Sequence, residues 1–106
     1  MQTLVQVLCS NGTSLRDRIA NDKDLNKWGL EVIREKKPGR KQGWTKLKSS
    51  NEGRHGAINL EWHARTQMLI CRVVTKGAGR PNAIIGDFVD YLLSKNKNRV
   101  QAINIR

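Results

Sequence analysis

Cysteine, aromatic and acidic residues are scarce in this chain of 106 residues. Its two cysteines, Cys9 and Cys71, are too few for a disulfide framework, and each lies in an apolar run where a reduced cysteine packs as a small core residue. No apolar stretch approaches the ~20 residues that a membrane-spanning helix needs. The first residues lack the basic start and the cleavage pattern of a secretory signal. We therefore expect an intracellular protein without a membrane partner, in the cytoplasm or with the nucleoid or nucleus.

The shortage of acidic residues leaves a large excess of positive charge. Lysine and arginine number 20 against 9 aspartate and glutamate residues, so the formal net charge is +11. Such a chain repels itself, and a polyanionic partner relieves this repulsion. The composition therefore predicts nucleic acid, DNA or RNA, as the partner.

Apolar, β-branched runs alternate with turn signals along the chain, whose length suits a single domain over residues 1–106. Strong turn chemistry occurs at Asn11-Gly12 and at Pro38-Gly39. The three or four strands that follow the first helix are expected to form a meander. The runs predict strands over 3–9, 30–36, 43–50, 56–64, 67–75 and 100–105.

Two segments have the apolar spacing of a helix. Between Ser14 and Gly29 the apolar residues fall near one helical face, Thr13 or Ser14 can cap the start, and a break is expected around 22–24. The second segment begins near Ala83 and is the more strongly periodic of the two. Its apolar stripe comprises Ile84, Ile85, Phe88, Val89, Leu92 and Leu93.

Two helices and a largely antiparallel sheet indicate an α+β fold. We expect about five or six strands, with both helices packed on one face of the sheet. The other face would then be open to solvent or to a ligand.

Alternation along the strands predicts which side chains share that open face. In the strand over 56–64, three apolar residues at even positions alternate with Asn59, Glu61 and His63. In the preceding strand the alternation separates the basic residues from Leu47. If the registers match, the open face has Trp44, Lys46, Lys48, Asn59, His63 and Arg72.

Positive charge is concentrated around the Pro38-Gly39 turn. Between Arg34 and Arg54 there are eight lysine or arginine residues and two glutamates. We predict a basic hairpin arm around 34–48 that lies along a nucleic-acid backbone, with Trp44 stacking on a base of a preferred single strand. The alternative is a solvated hairpin whose charges protect a sheet edge, and an exposed edge or face also allows a homodimer. The predicted contacts are Lys36, Lys37, Arg40, Lys41, Trp44, Lys46, Lys48, Arg54 and Arg72.

The segment TKGAGRPN, residues 75–82, leads into the second predicted helix. Gly77 and Gly79 permit close approach of the backbone, Lys76 and Arg80 add positive charge, and the free amides of a helix start favour an anion. The segment matches neither the P-loop pattern nor the dinucleotide-binding pattern. We predict a contact to a backbone phosphate here, the alternative being a structural turn.

Two resemblances accompany these motifs. The segment IREKKPGRKQGW, residues 33–44, combines an Ile-Arg-Glu strand with a Lys-Pro-Gly-Arg-Lys turn. It resembles the basic hairpin of a family of single-stranded-DNA-binding transcriptional coactivators, although the strands that follow differ in order. The succession of helix, three or so strands and helix is similar to double-stranded-RNA-binding domains and HicA-like toxins, without their lysine cluster or Gly-Ser-His triplet.

Two further function classes remain open. Glu61 and His63 alternate onto one strand face and suit a metal-independent ribonuclease or toxin-like nuclease, with histidine as general acid or base. The cations or histidine expected nearby are Lys48, Arg54 and His55. The other class is a regulatory module that binds an acidic protein.

Metal chemistry has little support in the sequence. The spacing of Glu35-Lys36-Lys37 occurs in metal nucleases, but no acidic residue is predicted on an adjacent strand. The upstream aspartates fall in the first predicted helix instead. The cysteines and histidines lack the paired spacing of a zinc site. We therefore assign no catalytic residue, metal ligand or cofactor.

Overall fold

The computed structural model describes residues 2–33, 45–50, 56–75 and 81–106. Within these ranges no helix is long and apolar enough to cross a membrane. The elements in chain order are β1 (Gln2–Cys9), α1 (Leu15–Ala20), a 3₁₀ helix (Leu25–Trp28), β2 (Leu30–Ile33), β3 (Thr45–Ser49), β4 (Ala57–His63), β5 (Met68–Val74), α2 (Asn82–Lys95) and β6 (Val100–Ile105).

The strands form one six-stranded antiparallel sheet in the order β2-β3-β4-β5-β1-β6. The α+β prediction is therefore confirmed, and β2 to β5 form the expected meander. The sequence did not predict the position of β1. This first strand lies between β5 and β6. After β5 the chain passes through α2 and then forms β6, which pairs with the other side of β1.

One face of the sheet is buried against the helices. Opposite residues on antiparallel strands point to the same face, so the register brings the apolar side chains of neighbouring strands together. Leu60, for example, lies opposite Cys71, which lies opposite Val5. The core comprises Val5, Val7, Cys9, Leu15, Ile19, Leu25, Leu30, Leu47, Ile58, Leu60, Leu69, Cys71, Val73, Ile84, Phe88, Tyr91 and Leu92.

The first predicted helix is broken, as expected. Ser14 Oγ accepts a hydrogen bond of 3.2 Å from the Asp17 amide at the start of α1, which ends at Ala20. The 3₁₀ helix ends at Gly29, whose φ of 77° lies in the left-handed region that favours glycine. Asp22 and Asp24 therefore lie in the connection between the two helices, not inside a helix.

The apolar stripe of α2 differs from the prediction at two positions. Leu93 is 49% exposed, whereas the polar-tipped Tyr91 is fully buried. The buried residues Ile84, Phe88, Tyr91 and Leu92 follow the narrower helical face that meets the sheet and the 3₁₀ helix. The sequence pattern missed Tyr91 because its hydroxyl group needs a partner before the ring can be buried.

Asp22 supplies that partner. The Tyr91 hydroxyl donates a 2.7 Å hydrogen bond to Asp22 Oδ2, and its ring meets Trp28 edge-on with centroids 5.7 Å apart. Lys95 Nζ lies 5.8 Å from the Trp28 ring centroid and 3.3 Å from Asp24 Oδ2. This cluster joins α2 to the connection after α1.

Replacing Tyr91 by phenylalanine tests the cluster. Tyr91→Phe removes the donor to Oδ2 of the partly buried Asp22 carboxylate and is expected to lower the free energy of unfolding by about 2 kcal/mol. Urea unfolding gives this value. Ser94→Ala is the control on the same helix, because it removes only an exposed 3.3 Å bond to Asp90 and is expected to cost less than about 0.5 kcal/mol. Equal stabilities of wild type and Tyr91→Phe would show that the bond stabilises nothing.

The same bond predicts a pH dependence. Burial, and then the hydrogen bond to Asp22, raise the pKa of Tyr91 above its ordinary value of 10.0. The resulting stabilisation is fully present below the unfolded pKa and is lost as the pH rises through the folded pKa. Tyr91 is the only tyrosine, so the tyrosinate absorbance reports it alone.

We expect the tyrosinate midpoint of the folded protein to lie above that of the chain unfolded in urea. Stability should also fall more steeply above pH ~10 in wild type than in Tyr91→Phe. Coincident tyrosinate midpoints in the folded and unfolded chain would contradict the prediction.

Candidate functional site

The face of the sheet opposite the buried one, the open face, has polar and charged side chains among its members. On β3 and β4 it presents Lys46, Lys48, Asn59 and His63, as alternation predicted. Arg72 lies opposite Asn59 and joins them. The other members include Leu4, Gln6, Glu31, Ile33, Ala57, Glu61, Met68, Ile70, Val74, Asn104 and Arg106.

A line of side chains crosses the open face perpendicular to the strands. Lys46 lies opposite Asn59, Asn59 opposite Arg72, and Arg72 opposite Leu4. Leu4 and Arg106 exchange backbone hydrogen bonds of 3.1 and 2.8 Å, so Arg106 is the next member. We call Lys46, Arg72 and Arg106 the cationic row. Its members are two strands apart, a separation of about 10 Å.

The side chains of the cationic row are basic, and two described glutamates are diagonal neighbours on the same face, Glu31 of Lys46 and Glu61 of Arg72. Among the residues that the structure describes, neither Lys46 nor Arg72 forms an ion pair. Lys48, one position further along the face, differs because its Nζ lies 3.0 Å from Glu31 Oε1. Lys46 and Arg72 are therefore not paired with a described acidic side chain.

Cations on the helix side have acidic partners more often. Lys95 and Lys27 lie 3.3 and 3.4 Å from the carboxylate of Asp24, and Arg16 lies 2.6 Å from Asp17. The hydrogen bond from Lys95, with the charge of Lys27, holds the pKa of Asp24 below its ordinary value. The described cations thus occupy both sides of the fold, and cations without a described ion pair occur on the open face, such as Lys46 and Arg72, and outside it, such as Lys23 and Lys97.

A depression of about 380 Å³ adjoins the cationic row. Its described lining combines apolar Ile33 and Val74 with Lys46 and Asn59. Asn59 Oδ1 is buried and has no hydrogen-bond partner among the described residues. A buried acceptor without a donor is costly.

Glu61 and His63 are in contact on the open face. His63 Nε2 lies 3.6 Å from Glu61 Oε1, and the two side chains are 47% and 46% exposed. Lys48 does not belong to this pair, because it lies opposite Ala57, six residues from His63 along β4 or about 20 Å away. In the part of the chain that the structure describes, no three histidine, cysteine or acidic side chains gather as a metal site would require.

The two described tryptophans, Trp28 and Trp62, lie on the core side of the sheet. Trp28 and Trp62 both pack against the core, and the Arg99 guanidinium lies 6.0 Å from the Trp62 ring centroid. Within the described ranges the open face therefore has no aromatic ring. The predicted stacking platform rests on Trp44, which lies outside those ranges.

Of the predicted contacts, the structure brings together Lys46, Lys48 and Arg72 on the open face. Sequence reasoning missed Arg106, because its place depends on the pairing of β1 with β6. The predicted hairpin arm and the glycine-rich segment fall outside the described residues. So do the contacts Lys36, Lys37, Arg40, Lys41, Trp44, Arg54, Lys76, Gly77, Gly79 and Arg80, together with Glu35 and His55 of the nuclease alternatives.

Comparisons of the chain with protein-family models, with curated proteins and with solved structures found no match. Function is therefore inferred from the composition and geometry of the open face. The observations that bear on it are the cationic row, the depression beside it and the contact between Glu61 and His63.

Proposed function

We propose that the protein binds nucleic acid through its phosphate backbone, which lies across the open face. The observation that supports this most directly is the cationic row, in which neither Lys46 nor Arg72 forms an ion pair with a described acidic side chain. Lysine and arginine side chains that contact phosphates release condensed counterions, and this release drives association. The proposal places the protein inside the cell, in the cytoplasm, nucleoid or nucleus.

The dimensions of the face suit an extended chain. The cationic row crosses five neighbouring strands of the sheet, in the order β3, β4, β5, β1 and β6. Four spacings between strands give it a length of about 19 Å. Long flexible side chains about 10 Å apart can each reach a different phosphate of one strand. The row thus supplies position along the backbone without reading sequence.

The depression supports a preference for single strands. An unstacked base can enter a pocket, whereas the bases of a duplex are paired and stacked. Ile33 and Val74 offer apolar contact to a base, and Lys46 lines the same depression. The phosphates of the nucleic-acid strand next to that base would then contact Lys46 and Arg72.

Two predicted contact segments join the sheet at this place. Residues 34–44 connect Ile33 to Thr45, and residues 76–80 follow Thr75, next to Val74. Ile33 and Val74 both line the depression. In the proposal the basic arm and the glycine-rich segment extend the phosphate contacts that begin at the cationic row.

Charge removal tests the proposal. Each phosphate contact contributes about 0.7 to the slope of log affinity against log salt on a single strand. The double variant Lys46→Gln/Arg72→Gln is therefore expected to lower that slope by about 1.4 and to weaken binding of all sequences alike. Fluorescence anisotropy with labelled single- and double-stranded oligonucleotides at several salt concentrations measures both effects.

The matched control is Lys23→Gln/Lys97→Gln, which removes the same charge from exposed positions outside the open face. It is expected to keep the wild-type slope. Equal slopes for the two double variants would mean that the open face is not the binding surface. A shallow slope in wild type itself would favour the acidic-protein partner, which relies on an apolar anchor.

A second candidate function is cleavage of the bound strand. The 3.6 Å contact between Glu61 and His63 favours it, because a carboxylate can orient an imidazole for proton transfer. Arg72 lies opposite Asn59, two residues before Glu61, and is the described cation on that part of the face. It could stabilise a charged transition state.

Incubation of RNA and DNA with wild type, His63→Ala and Glu61→Gln tests the cleavage candidate. If the dyad is catalytic, His63→Ala abolishes cleavage, and Glu61→Gln lowers the rate by about 10²-fold or more. Binding affinity at fixed salt serves as the readout that separates lost chemistry from lost binding. Cleavage that persists in His63→Ala, or no cleavage by wild type, excludes this function.

A further inference from the structure

The two edges of the sheet differ in their protection against pairing with another strand. In the described part of edge strand β2, the exposed Glu31 forms an ion pair with Lys48. Charge is a usual defence of an edge. Edge strand β6 has six residues, VQAINI, with no charged side chain and no proline. This is unusual in a chain of which 27% is charged.

The hydrogen-bond pattern shows which groups of β6 are directed outward. Leu4 and Arg106 exchange both backbone hydrogen bonds, and such pairs alternate with pairs that exchange none. Val5 opposite Ile105 and Val7 opposite Ile103 are therefore pairs without mutual bonds. The N–H and C=O groups of Ile103 and Ile105 point away from β1, and no other described strand pairs with that edge.

At the β6 edge, the apolar side chains on the helix side of the sheet are only partly covered. Ile103 is half-buried and packs against the core, whereas Ile105 is 52% exposed. Both lie on the helix side, opposite Val7 and Val5. The edge thus combines outward backbone groups with an apolar surface that remains in contact with water.

We propose that β6 pairs antiparallel with β6 of a second copy of this chain, around a twofold axis at Ile103. Because β6 has no charged side chain, a second uncharged strand matches it better than a strongly charged strand would. In an antiparallel pair centred on Ile103, its outward N–H and C=O groups bond to those of the other copy, and Ile105 lies opposite Gln101. The two sheets then form one continuous sheet.

The symmetry has a consequence for the open face. A twofold axis perpendicular to the sheet keeps both helix layers on one side and both open faces on the other. The cationic rows of the two copies therefore share one surface. The dimer itself does not depend on the proposed function, because its contacts are backbone hydrogen bonds and apolar side chains.

Charge gives this association a distinctive salt dependence. Each copy has a net charge of +11, and Arg106 of one copy lies next to Arg99 of the other in the proposed register. Salt screens this repulsion, so dimerisation strengthens as the salt concentration rises. Binding to nucleic acid has the opposite dependence.

Sedimentation velocity without nucleic acid, at about 0.05 M and about 0.5 M salt, measures the association. We expect a monomer–dimer equilibrium that shifts toward dimer at the higher salt. Ile105→Lys places a charge at the edge and is expected to raise the dissociation constant at least about tenfold. Leu93→Lys is the matched control, because Leu93 is 49% exposed on α2, and it should leave the equilibrium unchanged.

Disulfide formation tests the register. At a central hydrogen-bonded pair the Cα atoms lie about 5.5 Å apart, within the range of a disulfide. Ile103→Cys should therefore form an intermolecular disulfide under mild oxidation. Ala102→Cys should not, because the twofold axis separates those Cα atoms by about 8 Å. The natural cysteines, Cys9 and Cys71, are buried.

A monomer at both salt concentrations would overturn the proposal, and so would a dimer that Leu93→Lys disrupts as much as Ile105→Lys. Equal cross-linking of Ile103→Cys and Ala102→Cys would also overturn it. Circular dichroism of each variant confirms that the fold is kept. Since nucleic acid is absent from these measurements, their failure leaves the proposed function untouched.

Discussion

Burial of one sheet face against the helices is the constraint on which the rest of the structure depends. Side chains alternate along a strand with a period of two, and opposite residues on antiparallel strands share a face. Covering one face therefore determines the other. A slip of one residue in β4 would bury Asn59 and Glu61 and expose Ile58 and Leu60. The core and the cationic row are consequences of one register.

The central position of β1 extends that constraint across the whole sheet. Because β1 lies between β5 and β6, Arg72 and Arg106 flank Leu4 in one line. Arg99 fixes the segment between β1 and α1. Its Nη2 donates hydrogen bonds of 2.8 and 3.3 Å to the carbonyls of Thr13 and Ser10. Two segments distant in sequence are thereby joined beside the edge strand.

Local pattern was sufficient to predict most of the elements. The strands, the break between α1 and the 3₁₀ helix and the separation of Lys46 from Leu47 all follow from features within a few residues. The place of β1 depends on pairing between the two ends of the chain, which no local pattern encodes. Tyr91 was missed for a similar reason, because its partner Asp22 lies 69 residues away.

The candidate site was predictable in part. Alternation identified the face of Lys46, Lys48 and Asn59, and Arg72 joined them through the register of β4 with β5. Composition could not predict which cations have acidic partners. The pairing of Lys48 with Glu31, and the distance of Lys48 from His63, are properties of the register and not of spacing in the sequence.

The distribution of acidic residues differs between the two sides of the fold. All five aspartates of the chain lie in or next to the helices, where short carboxylates suit helix starts and turns. There they neutralise Arg16, Lys27 and Lys95. The open face has two described glutamates, and these contact Lys48 and His63, not the cationic row. Local pairing, more than total charge, therefore determines which cations of the open face have a described acidic partner.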